Sequence, residues 1–168
     1  MTVVTDTGPL IALAKLNHLH LLHVLYAHLI VPRFVYRECV VVGRARGYGD
    51  ADVIEAFLEK LDCLPLVPAS MPSALSSDVR LGQGEREAIA LAEERQSLLL
   101  IDDVYARAVA EEIGLQTAGT LGVLVEAYHR EHLSQDTLEE LLTAIERRQD
   151  IWIHPTLCRR VRSQVLQQ

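Results

Sequence analysis

The chain has 168 residues, 49% of them apolar and 23% charged, enough for one substantial core and too few for two comfortable ones. That mixture argues against long disorder, and no apolar run approaches the roughly 20 residues that a bilayer-spanning helix needs. A net charge of −7 argues against a general nucleic-acid coat, because phosphate binding relies on Lys and Arg.

Thr2–Thr5 is a short β-branched run closed by Gly8-Pro9 and reads as a strand. Leu10–Leu16 and Leu19–Leu29 carry apolar residues at helical spacing. Leu29-Ile30-Val31 reads as a second strand ahead of Pro32, which suits the first turn of a helix running through Val35, Tyr36 and Val40 to Gly43. "GRARGYGDAD" reads as a loop, with a helix from about Asp52 to Lys60. "CLPLVPASMPSALSSD", rich in Pro and Ser, reads as a strand ending in a linker.

The second half is clearer. "LGQGEREAIALAEERQ" reads as a helix announced by glycines. "SLLLIDD" is a continuous apolar strand of the kind buried on both faces of a parallel sheet, ending in two aspartates. "VYARAVAEEIG" is a helix with a glycine stop, "LQTAGT" a short strand and "LGVLVEAYHREH" a further helix. Two C-terminal helices follow, from about Gln135 to Arg148 and from Pro155 to the end. The alternation predicts an α/β fold, a three-layer α/β/α sandwich with a mostly parallel central sheet, as one domain over 1–168 with a helical extension from about 134. The active site of such a sheet lies at the carboxyl ends of its strands.

Asp6, Asp102 and Asp103 all fall at such ends. Asp6 alone reads most simply as a helix cap. Asp102-Asp103 is harder to dismiss, since adjacent carboxylates repel and a cation would offset the cost. Glu38 lies inside an otherwise apolar helix, and Glu85 heads a helix whose dipole favours an acid.

Together these residues resemble the PIN domain family. "VVTDTGPLIALAKL" is similar to its opening strand, acid, hydroxyl residue and helix. "VPRFVYRECV" is similar to its second motif, and "LGQGEREAIALA" with "SLLLIDDVYARAVAEEIGL" to its third and fourth; "TAGTLGVL" matches a weaker fifth. The closest match is the branch carrying Gly-Glu-x-Glu-Ala-Ile, and the similarity covers roughly Val3 to Tyr128. The resemblance implies metal-dependent cleavage of a phosphodiester in RNA, with Mg²⁺ or Mn²⁺ as cofactor. Asp6, Glu38, Glu85 and Asp103 would be the catalytic acids and metal ligands. Asp102 would be a further ligand or a supporting group, and Thr7 and Thr120 would position a water or an acid. Carboxylate oxygens suit these ions, which keep several waters and bind substrate phosphate. The role of toxin in a toxin–antitoxin pair, with an antitoxin partner, follows from the same resemblance. Glu85 stands where many members have Asp, and the long linker Pro65–Asp78 and the C-terminal helices depart from the compact toxins.

Two rivals come from other classes. One is a catalytically inactive PIN-like module that binds RNA or a protein. The other is a receiver-like domain, disfavoured because "IDD" comes late and no lysine follows a late strand. Arg33, Arg37, Arg44 and Arg46 are candidate RNA contacts, and Arg147, Arg148, Arg159, Arg160 and Arg162 form a second basic group; either can equally be a solvated face. His18, His20, His23 and His28 read as a solvated helix face rather than a metal site. Trp152 and Tyr128 read as core or interface anchors, since 5% aromatics offer no obvious stacking surface. Apolar helices near both termini suggest a homodimer. Three widely spaced cysteines and an N-terminus whose first ionisable side chain is Asp6 suggest a cytoplasmic protein.

Overall fold

The structure, a computed structural model, describes residues 1–166. In chain order the elements are β1 (Thr2–Thr5), α1 (Thr7–Lys15), α2 (His20–Leu25), β2 (His28–Ile30) and α3 (Arg33–Tyr36). A π-helical segment, Arg37–Val42, carries α3 on into α4 (Gly43–Ala45). Then come α5 (Asp50–Lys60), α6 (Ser73–Ser77), α7 (Gln83–Arg95), β3 (Leu98–Leu100), α8 (Val104–Glu112), β4 (Thr117–Ala118) and α9 (Thr120–His129). The chain closes with α10 (Gln135–Arg147), α11 (Pro155–Val161) and a second π-helical segment, Arg162–Leu166.

The strands form one sheet in the order β2-β1-β3-β4, parallel throughout. Successive side chains of a strand point to opposite faces, so each strand feeds two cores. Val3 and Leu100 enter one, with residues of α1, α2, α5, α9 and α10. Val4, Leu99 and Ile101 enter the other, with the apolar sides of α7 and α8. That division is the three-layer sandwich expected for continuous apolar strands. Leu99, Leu100 and Ile101 are each 0% exposed, and burying such a side chain contributes about 1.5–3 kcal/mol.

Local chemistry sets the boundaries. Pro9 sits in the first turn of α1, where its missing N–H costs nothing. Gly114, at φ +86°, and Gln96, at φ 47°, supply the left-handed residues that stop α8 and α7. Ser134 caps α10 by accepting from the Thr137 N–H at 3.1 Å. Arg162 reaches back from the last segment to Glu139 at 2.6 Å and Glu146 at 2.7 Å, holding it against α10.

Two expectations need correction, and a third holds as far as the described residues reach. The strand expected in "CLPLVPASMPSALSSD" is reduced to one parallel bridge, Pro32 to Leu66, because its prolines remove ladder donors, and its serines form α6 instead. Pro32 is the N-cap of α3 rather than its first helical residue. The helix expected from Pro155 onward is α11 continued by the π-helical segment, and the last two positions lie outside the described residues. Among the described residues no helix is long and apolar enough to cross a membrane.

Candidate active site

The chain leaves β1 towards β2 on one side and returns to β3 on the other. Their carboxyl ends therefore diverge into a crevice, the place where parallel α/β sheets bind ligands. Asp6 stands directly at the end of β1, and its N–H donates to the Leu100 carbonyl at 2.9 Å. The pairing of β1 with β3 thus extends one residue past the strand and fixes the Asp6 backbone.

Asp6 occupies the N-cap position of α1, yet no helix N–H bonds to its side chain. The capping role expected from the sequence is not realised in the structure. The carboxyl is 6% exposed, and its Oδ1 has no hydrogen-bond partner. Buried polar atoms are nearly always satisfied, so an orphaned carboxylate oxygen requires an explanation. Burial pushes the Asp6 carboxyl up to about 7; the backbone N–H groups of Thr7 and Gly8, facing the carboxyl, oppose the rise, and the charges of Glu85 and Glu38 add to it.

Glu38 arrives on the π-helical segment, a wide turn of a kind that recurs at functional sites. Its Oε2 accepts from the Thr7 hydroxyl at 2.8 Å. A Cβ on Gly84 would stand 2.6 Å from that same oxygen, so the approach of Glu38 to α7 requires glycine there. Glu85, the next residue, turns back to accept the Gly82 N–H at 2.7 Å. Burial raises its carboxyl, and the charges of Asp103 and Glu38 raise it further.

The two aspartates after β3 diverge, as neighbours on extended chain must. Asp103 caps α8, its Oδ1 accepting from the Ala106 N–H at 2.8 Å. Asp102 turns to α9 and accepts from the Thr120 N–H at 2.7 Å and the Thr120 hydroxyl at 2.6 Å. Burial raises its carboxyl against those two bonds. A Cβ on Gly119 would meet Asp102 Oδ1 and Arg107 Nη2, each at 2.6 Å. Arg107 donates to the Ile101 carbonyl at 2.6 Å, bracing the same corner.

The donors around the crevice are hard oxygens, and one of them is orphaned and buried. Among the described residues no three His, Cys, Asp or Glu side chains converge closely enough to hold a metal ion by themselves. That arrangement fits an ion that takes one or two carboxylates and completes its shell with water and phosphate, as Mg²⁺ does, better than one needing a closed protein cage.

One contributor, Asp50, is not legible in the sequence, and neither are the tasks of two others, Glu87 and Gly84. Asp50, placed there in a loop, begins α5 and shares a cleft with Thr7 and Glu38. Glu87 points away from the acids, as about 200° of helix from Glu85 dictates, and accepts the Phe34 N–H at 2.9 Å. It thereby anchors the start of the helix that carries Glu38. Gly84 opens the Gly-Glu-x-Glu-Ala-Ile stretch, and what the sequence does not show is that it lies against the Glu38 carboxylate.

The arginines divide. Arg44 is committed to Asp52, at 2.8 Å, and to Glu55, which removes it as a phosphate contact. Arg33 is exposed, and its backbone N–H ties to the Leu66 carbonyl at 2.7 Å. Arg37 stacks over the Phe34 ring and, with Arg46, lines the cleft that contains Glu38. Neither pairs with a carboxylate among the described residues. The His18 and His20 rings lie 5.4 Å apart, with no acid or thiol joining them. Burial pushes the Cys39 thiol up, which leaves it without nucleophilic character.

A parallel sheet carrying carboxylates at its switch point defines an α/β protein with an acidic site at the carboxyl ends of its strands. A family model described as a PIN domain matches residues 2–167, and the chain belongs to the PIN domain family. PIN domains are generally nucleases, and those nucleases generally use divalent metals. Neither a curated protein nor a solved structure matches the chain.

Proposed function

We propose that the protein is a metal-dependent endoribonuclease. The observation that carries this reading is the buried Asp6 carboxyl with an unpartnered Oδ1, raised to about 7 in the company of Glu85 and Glu38. A fold does not keep such a group for stability, because an ionised acid without a partner is costly. A cation would relieve both the burial and the mutual repulsion.

Asp6, Glu38, Glu85 and Asp103 are the residues that would surround Mg²⁺ or Mn²⁺, one or two of them binding it directly and the others through water, and the ion would supply charge at the phosphate and a more acidic water. Thr7 holds Glu38 through its hydroxyl, and Thr120 holds Asp102 at both oxygens. Asp102 is thus the positioning member of the set rather than a ligand, and Asp103 keeps Oδ2 available while its Oδ1 caps α8. No side chain need attack covalently.

A second reading, a PIN-like binding module without catalysis, draws on the same bonds, since Asp102, Asp103 and Glu85 each serve a structural contact. Metal titration separates them. Mn²⁺ should raise the melting temperature of the wild-type chain and switch on cleavage of a single-stranded RNA, and Asp6→Asn should lose both. If Mn²⁺ changes neither property, the binding-module reading stands instead. Two partners belong to the proposal: a second copy of the chain, suggested by the apolar helices near both termini, and an antitoxin, which the toxin role would add. The mass of the purified protein tests the first. Growth arrest on expression, relieved by the product of the adjacent reading frame, tests the second.

A further inference from the structure

Trp152 is 93% exposed, so of the two roles expected for it, core or interface anchor, the core one is not realised. Leaving the largest apolar side chain in water is unfavourable, and a rigid outward ring is informative where a scattered exposed leucine is not. The exposure is built in. Ile151, the residue before it, is buried at 6%. Asp150 is tied by its carbonyl to Lys15 at 2.7 Å and by its carboxylate to Arg148 at 2.8 Å. The segment joining α10 to α11 is therefore anchored immediately before the ring.

Trp152 also stands at a junction. A cleft of about 480 Å³, within the range of small-molecule sites, runs past Thr7, Gly8, Asp102 and Trp152. Asp102, Trp152 and Ile153 also border a second cleft, which continues to Leu157 and Arg160 on α11. In the opposite direction Thr7, Ile11, Tyr48 and Asp50 are shared with a third, which contains Glu38, Arg37 and Arg46. The three form one trench across the carboxyl edge of the sheet. Glu38, Asp50 and Asp102 lie along it, and at its ends are arginines with no carboxylate partner among the described residues: Arg37 and Arg46 at one, Arg160 at the other. Exposed rings mark both arms, Tyr48 at 54% and Trp152 at 93%.

We propose that this trench seats a single-stranded RNA, with Trp152 as a base-stacking platform and Arg160 as a phosphate contact on one side of the acids, and Tyr48 with Arg37 and Arg46 on the other. The proposal rests on the nuclease reading and adds to it how the strand is held. Charge argues for this occupant: in a chain of net charge −7, three arginines without a carboxylate partner among the described residues, Arg37, Arg46 and Arg160, stand at the two ends of one groove, where the phosphates of a strand crossing it would fall. A single strand is required because only unpaired bases offer a face to a ring.

Trp152 is the protein's one tryptophan, so intrinsic fluorescence reports on it alone. An oligouridine of about ten nucleotides, titrated in EDTA to suppress cleavage, should quench that emission saturably. The same oligonucleotide annealed to its complement should not. Trp152→Ala should weaken binding, followed through a labelled oligonucleotide, about tenfold, and Trp152→Phe should restore most of it. Arg160→Gln should weaken binding and flatten its salt dependence. Tight binding without quenching, equal affinity of Trp152→Ala and wild type, or no binding of the single strand would each overturn the proposal. So would emission that shifts with protein concentration alone, which would assign the ring to a second copy of the chain. Trp152-dependent binding without Mn²⁺-dependent cleavage keeps the platform and ends the nuclease reading; cleavage indifferent to Trp152→Ala does the reverse.

Discussion

Asp6→Asn should make the metal-free protein more stable above neutral pH. In the fold the Asp6 carboxyl is raised from 3.8 to about 7, so the folded state holds its proton more tightly than the unfolded chain. Its contribution is complete below about pH 4 and is lost as pH rises through 7. Full ionisation in the fold costs up to about 4 kcal/mol at pH 8. Glu85 and Asp102, raised in the same direction, add to the trend. For a chain of this size 1 kcal/mol is worth about 2–4 °C in melting temperature. Thermal melts in EDTA should therefore show the wild-type Tm falling between pH 5 and pH 8. Asp6→Asn should differ little at pH 5 and melt higher at pH 8, by up to roughly 8–16 °C. Saturating Mn²⁺ should restore the wild type at pH 8 and leave the variant unmoved. A wild-type Tm that rises with pH, or a variant that melts lower at pH 8, would show that Asp6 is satisfied in the fold and would refute the argument.

Gly84→Ala should disturb Glu38, because the added Cβ would sit 2.6 Å from its Oε2; Mn²⁺ affinity should fall about tenfold or more while the circular dichroism spectrum is kept. Arg46→Gln should weaken binding of single-stranded RNA and reduce its salt dependence, whereas Arg44→Gln, which loses an exposed and solvent-screened ion network, should leave binding within about twofold and barely move the midpoint of chemical denaturation.

The parts of this structure legible in the sequence are those written as patterns. The unbroken apolar run Leu98–Ile101 marked a strand buried on both sides, and Thr2–Thr5 marked its neighbour. The order of strands and helices then placed Asp6 and Asp102-Asp103 at the same edge. What stayed hidden depends on geometry that spacing does not encode. A π-helical turn has no simple periodic signature, so the orientation of Glu38 could not be read from "VPRFVYRECV". Asp102 and Asp103 carry the same side chain, and only the position of Thr120 across the sheet assigns one to α9 and leaves the other to α8. Asp6 fits the pattern of a helix cap, and nothing in its neighbours reveals that the hydrogen bond is not made. Trp152 was weighed by residue type, whereas its outward face follows from the anchoring of Asp150 and Ile151.

Helix α7 meets α3 and its π-helical continuation at two points. Glu87 grips the Phe34 N–H, and Gly84 lies against the Glu38 carboxylate. The two contacts are less than one turn apart on α7 and about one turn apart on the facing helix, so they act as a clamp rather than a hinge. A displacement of α7, driven from its buried side at Ile89 or Leu91, would carry Glu38 with it, while Asp6 stays bolted to β3 through the Leu100 carbonyl. The spacing of the acids is therefore an adjustable quantity, set by how the core beneath α7 is filled. Substitutions there, well away from any substrate, can retune the site without touching one of its ligating atoms.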